Sequence, residues 1–247
     1  MCQAKSHLRP QPTPRKTNIR KKYVFLLLIF LFTAPLLNSA LWAFPLNRKE
    51  VLVVLDPGHG GTSTGARGLG GALEKKITLH LAQAIARELQ SHCRVLLTRE
   101  GDFDPGSDRR AELANNRKAH LFISLHTGAG FGQTPGPLRI LHMPEPPSSP
   151  SPQPETWHQG YISHLAQASL LAQKLAQSLK EASLPRKIHL QTAEISILAP
   201  LDMPAVFLEV GHINAPQDAL WLSDPATHRQ LAQSIALGIR AYLDTTF

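Results

Sequence analysis

The chain has 247 residues, enough for one full-sized domain with extensions, and 43% of them are hydrophobic, an ordinary fraction for a globular protein. The formal net charge is +8, but residues 1–43 hold seven cations (Lys5, Arg9, Arg15, Lys16, Arg20, Lys21 and Lys22) and no Asp or Glu, which leaves 19 basic and 18 acidic side chains beyond them. That near-neutral balance leaves nucleic-acid binding without its electrostatic basis, so no nucleic-acid partner is expected.

Residues 1–43 read as a signal peptide or signal anchor. A basic stretch ends at Lys21-Lys22, the run Tyr23–Leu37 carries no charge, and the small residues Ser39, Ala40 and Ala43 follow. This is the order of a secretory leader. The apolar run, of 15 residues, is shorter than the roughly 20 that span a bilayer comfortably. The sequence therefore predicts an exported protein, in the periplasm or at the outer face of the inner membrane. Contact with the membrane is expected only through an uncleaved leader. Cys2 falls in the leader, and Cys93 opens an apolar run, so Cys93 reads as a buried thiol and no disulfide is expected.

Residues 48–247 read as a single catalytic domain. Val51–Leu55 is apolar on both faces, as in a strand covered on two sides. A glycine-rich loop, 57–71, leads into a helix over 74–91 with Ile77, Leu81, Ile85 and Leu89 on one stripe. A second strand is predicted at 94–98. Ser107 is placed to cap a helix over 108–118. A third strand follows at 121–125. Between Pro135 and Pro154 lie eight prolines, so 130–154 is expected to be an extended or mobile Pro-rich loop. Helical spacing returns at 157–182, a last strand is predicted at 205–208, and a final helix over 225–244. The alternation predicts an α/β fold: a single domain with a mostly parallel twisted sheet and helices on both faces. In such sheets ligands bind outside the carboxyl ends of the strands.

The polar residues expected at those ends form a chemical set. Asp56 and His59 follow the first strand, His126 ends the third, Glu209 ends the last, and Glu74 opens the first helix. Two imidazoles and a carboxylate with a fourth position open make a recurrent catalytic zinc shell. A further carboxylate is then needed to take a proton from water and pass it to the leaving nitrogen. His59, Glu74 and His126 fit as ligands of one Zn2+, and Glu209 as the base. Asp56 is expected to orient the loop or His59 from behind rather than to bind the metal, and His212 lies close enough in sequence to tune Glu209. Gly58, Gly60 and Gly61 flank His59, where a Cβ would restrict the turns. No GxGxxG or GxxxxGK[ST] pattern marks a nucleotide site.

Leu55-Asp56-Pro57-Gly58-His59-Gly60-Gly61, Glu74-Lys75, Ser124-Leu125-His126 and Pro204–Gly211, in this order, resemble the successive signatures of the zinc-dependent N-acetylmuramoyl-L-alanine amidases of the cell wall. Arg110 with Ala114-Asn115 resembles the stretch before the third strand in that family. The likeness runs from about Val51 to Leu243. It implies a zinc ion on the residues matching His59, Glu74 and His126, and a catalytic glutamate matching Glu209. It also implies peptidoglycan as substrate, cut at the amide between N-acetylmuramic acid and L-alanine. Some relatives carry a helix after the second histidine that blocks the zinc until an activator protein moves it, and 135–154 is unsuited to form one. Two departures stand out: Thr127-Gly128 replaces the usual Ala-Asn, and His212 the usual Phe. Two alternatives stay open, a degenerate non-catalytic wall-binding domain and a zinc peptidase or deacetylase of the wall on the same sheet.

Overall fold

The computed structural model describes residues 50–130, 134–146 and 157–247. The leader and its cleavage zone lie outside the described residues, as do 131–133 and 147–154 of the Pro-rich stretch. Six strands form one sheet: β1 (Leu52–Pro57), β2 (Arg94–Leu97), β3 (Leu121–Gly128), β4 (Leu138–His142), β5 (Ile188–Thr192) and β6 (Ala205–His212). Their spatial order is β2-β1-β3-β6-β4-β5. All neighbouring pairs are parallel except β4 with β6. Every residue of β1 is buried, as its two-sided apolar pattern requires.

Among the described residues five α-helices surround the sheet: α1 (Glu74–Leu89), α2 (Ser107–Asn116), α3 (Leu165–Glu181), α4 (Pro216–Ser223) and α5 (Pro225–Thr246). Strand side chains alternate between faces, and this parity divides the core. Val53, Leu55, Leu121, Ile123, Leu125, Val206 and Leu208 pack with the apolar stripes of α1, α3 and α5. The opposite parity, Leu52, Val54, Phe122 and Ala205, meets a smaller cluster that includes Ala111 and Ala114 of α2, Met143, and Leu198, Leu201 and Met203 from the segment before β6. Truncating Leu81 or Ile85, both fully buried on the thick side, to Ala would cost about 2–5 kcal/mol. The thin side is where a groove can open.

Three sequence expectations need correction. The stretch 130–154 is not loop throughout, because Leu138–His142 forms β4, and its register with β6 supplies the backbone partners that its prolines do not block. Ser107 is the first helical residue, and the residue before α2 is Gly106, at φ 78°. The helix expected over 157–182 starts as a 3-10 segment, Trp157–His164, before α3. Cys93 is buried and free, as expected. No helix among the described residues is long and apolar enough to cross a membrane.

Candidate active site

Parity also selects the side chains of the site. Asp56 of β1, Ser124 and His126 of β3, and Phe207 and Glu209 of β6 have the parity of the thinly covered face. Towards the carboxyl ends of these strands apolar residues give way to polar ones, and the α1 N-terminus brings Glu74 to the same rim.

Glu74 lies between the two imidazoles. Its Oε2 is 3.2 Å from His59 Nε2, and its Oε1 is 2.9 Å from His126 Nδ1. Backbone N–H groups of Ala66 and Thr127 donate to the same two oxygens, at 2.7 and 2.9 Å. The carboxylate is only 3% exposed. Burial works against its charge, but the hydrogen bonds with His126 and His59 prevail and hold its pKa well below the usual carboxylate range. One donor atom each from His59, Glu74 and His126 lies within 4.8 Å of the others.

The backbone is shaped to allow this convergence. His59 sits at φ 63°, which aims its ring across the rim at the cost of strain rare outside glycine. Its Nδ1 meets Ser63 Oγ at 2.9 Å, a partner that fixes the ring's orientation. His126 is stacked on Phe207, with centroids 4.4 Å apart. Gly58 and Gly65 form the floor and side of the cradle. A Cβ on Gly58 would stand 2.3 Å from the His126 ring, and one on Gly65 2.5 Å from Glu74 Oε2. Two imidazoles and a buried anion, in a cradle that a single methyl would fill, suit a zinc-sized cation.

Asp56 does not touch His59. It accepts hydrogen bonds from Thr98 Oγ1, Arg110 NH1 and Ser124 Oγ at 2.5, 2.6 and 2.7 Å. Arg110 in turn donates to the carbonyls of Pro57 and His59. Asp56 thus orients the loop through Arg110. Arg99 spends its donors on carbonyls of Pro57, Gly58, Lys75 and Gly101. Lys75 Nζ ties Gly61 O to Asp102. Both arginines are struts of the loop.

Glu209 faces His126 in the register of β3 and β6, and its Oε2 pairs with Arg139 NH1 at 2.9 Å. His212 and Glu209 both border Gly128, where a Cβ would stand 2.9 Å from His212 Cδ2 and 3.5 Å from Glu209 Oε2. The His212 ring packs among Gly128, Gly130 and Gly136, its Nε2 is buried with no hydrogen-bond partner among the described residues, and its backbone N–H donates to Asp218. Among the described residues no hydrogen bond joins it to Glu209.

A groove of about 550 Å³ runs past His59 and His126, with Asp104 and Ser107 on one side and Glu194 to Ile197 on the other. Sequence reasoning missed that second wall, along with Ser63, Phe207 and Arg139. Phe207 stood inside a recognised block, where its parity with Glu209 could have revealed it. Ser63 lies only four residues from His59, whereas Arg139 and the second wall become visible only through long-range pairing.

Fold and rim together define an α/β domain with a group of side chains that could hold a metal ion at the edge of its sheet. Comparison with known proteins carries this further. The profile of the N-acetylmuramoyl-L-alanine amidase family matches residues 53–241. The germination-specific N-acetylmuramoyl-L-alanine amidase of Bacillus subtilis (strain 168) is 29% identical over 238 residues, covering 88% of this chain and 91% of the relative. The amidase AmiA of Salmonella typhimurium is 30% identical, covering 77% of this chain and 75% of its own length. Among solved structures, the catalytic domain of the amidase CwlV from Bacillus (Paenibacillus) polymyxa var. colistinus is similar with a TM-score of 0.67 and 25% identity, over 78% of this chain and 98% of that one. The chain belongs to the N-acetylmuramoyl-L-alanine amidase family.

Proposed function

We propose that this amidase hydrolyses peptidoglycan with one zinc ion held by His59, Glu74 and His126, and with Glu209 as general base. The observation that carries the reading is the convergence of the three donor groups within 4.8 Å at the rim of the sheet, one strand from Glu209. Zinc in that cradle supplies Lewis acidity, which lowers the pKa of water to about 7 and polarises a carbonyl.

The chain's own residues do the rest. Ser63 and Phe207 hold the imidazoles in place, while Arg110 and Arg99 lock the loop that carries His59. The groove takes an extended substrate past the rim. Glu209 receives a proton from the attacking water and delivers it to the nitrogen of L-alanine as the carbon–nitrogen bond breaks. The products are a lactyl carboxylate on the sugar and a free amine on the peptide. The substrate lies outside the cytoplasm, so the activity requires export, and the leader read from residues 1–43 would supply it.

The test joins metal analysis of the purified protein to mass spectrometry of products from purified sacculi. The reading expects one zinc per chain and a new amine on L-alanine. A freed glucosamine amine would mean a deacetylase, and a freed D-alanine a peptidase. Binding without cleavage in zinc-supplied buffer would mean a non-catalytic wall-binding domain. Cleavage by the purified protein alone would show that no activator is required.

A further inference from the structure

We infer that Arg139 is a positioning residue that fixes the direction of the Glu209 carboxylate, an inference that rests on Glu209 as the base. The two residues are direct register partners across the antiparallel pair β4–β6. Side chains opposed in this way leave the sheet on the same face, close enough to touch. Leu138 and Ile140, on either side of Arg139, are fully buried in the thick half of the core, so Arg139 has the parity of the groove face. There its NH1 donates to Glu209 Oε2 at 2.9 Å.

The reversed direction of β4 makes this contact possible. Because β4 runs against β6, its second residue, not its last, reaches the rim. Its start is also anchored. The buried Asp218 accepts from Gly136 N at 2.7 Å and from His212 N at 2.8 Å, so one carboxylate ties the approach to β4 to the end of β6. Arg186 pairs with the same carboxylate and stacks on Trp221. The base and its partner therefore project from backbones tied together at the rim.

The contact uses a single oxygen. With Oε2 engaged by a guanidinium that stays charged at any working pH, Oε1 is left for proton transfer. A free glutamate samples several rotamers, and a base must lie within hydrogen-bond reach of the proton it removes. Holding one oxygen converts that search into a fixed approach, which should show in turnover rather than in substrate affinity.

The experiment compares Arg139→Met, Arg139→Lys and Glu209→Gln in the full chain, on a soluble muropeptide, with kcat and KM separated and zinc content and melting temperature measured alongside. Arg139→Met should lower kcat roughly 10- to 100-fold with KM unchanged within error, one zinc per chain and wild-type melting. Arg139→Lys should recover part of the loss. Wild-type kcat in Arg139→Met overturns the proposal, as does a loss seen only in KM, or one that tracks zinc content or melting. If Glu209→Gln itself turns over normally, the base assignment fails first. If Glu209→Gln is dead and Arg139→Met is normal, only the positioning role fails.

Discussion

His126 and Glu209 are the last residues of β3 and β6 to pair in regular register, and the next recorded pair, Gly128 with His212, has slipped by one residue. The extra residue on β6 is a bulge, placed where the sheet meets the groove. Bulges end pairing and re-aim side chains at such rims. Here it brings His212 opposite Gly128, on the face that carries His126 and Glu209, and the ring packs among Gly128, Gly130 and Gly136.

Replacing Glu209 by Gln keeps the shape and the contact with Arg139 but removes the ability to accept a proton. Release of stem peptides from sacculi should fall by about 10²- to 10⁴-fold in kcat. Zinc content should stay at one per chain, because Glu209 is outside the donor triad. Normal release with full zinc occupancy would assign the proton transfer elsewhere.

Acid should destabilise the chelator-treated protein through Glu74. Its folded-state pKa lies below the ordinary value of 4.5, so the unfolded chain takes up the proton first as pH falls. The stabilisation from this group is therefore complete above that ordinary value and is lost as pH drops towards the depressed one. Urea midpoints measured between about pH 6 and about pH 3 should fall more steeply for wild type than for Glu74→Gln. Parallel curves would show that the carboxylate is unpaired in the metal-free protein.

Much of this site could be read from the chain. β1, β3 and β6 were legible because each is a short apolar run ended by a residue type that is costly to bury, and α1 because Ile77, Leu81, Ile85 and Leu89 repeat at helical spacing. The four proposed site residues sit at the ends of those elements. β4 was hidden because prolines surround it and its pairing is with a strand some 70 residues further on (Arg139 with Glu209). With β4 went Arg139. β5 was hidden because Ile188–Thr192 is an edge strand, mostly exposed, and has no apolar run to announce it. The strut role of Arg110 depends on Asp56, 54 positions away, which no local pattern records.

Arg110→Met should destabilise the fold far more than its place on a short helix suggests. It removes the cation from Asp56, which is 1% exposed and would keep only its two hydroxyl donors. Breaking a buried pair from one side costs about 3–5 kcal/mol. Urea unfolding should show that loss, and the Asp56→Asn, Arg110→Met double variant should recover part of it. Unchanged stability in Arg110→Met would mean that the hydroxyls alone satisfy the carboxylate.

Gly58→Ala tests the cradle without touching a donor atom. The residue lies between β1 and His59, and its N–H is bonded to Leu125 O at 2.9 Å, so the backbone cannot retreat from β3 without losing a sheet contact. A methyl would stand 2.3, 2.4 and 2.7 Å from three atoms of the His126 ring. The ring is backed by Phe207 on its stacked face, which limits where it can go. Overpacking of this kind costs about 1–3 kcal/mol, and the easier relaxation is a rotation of His126 away from Glu74. Zinc affinity, read by competition with a chelator of known strength, should therefore fall by at least tenfold, and the metal-free protein should lose about 1–3 kcal/mol of stability. Ser63→Ala is the useful contrast. It frees His59 Nδ1 but leaves the cradle open, and loss of such a partner typically weakens metal binding about 10- to 100-fold without a steric cost. If Gly58→Ala binds zinc as wild type does, the ring has room that this packing denies it, and the tight approach of the β1 loop to His126 is not what shapes the site.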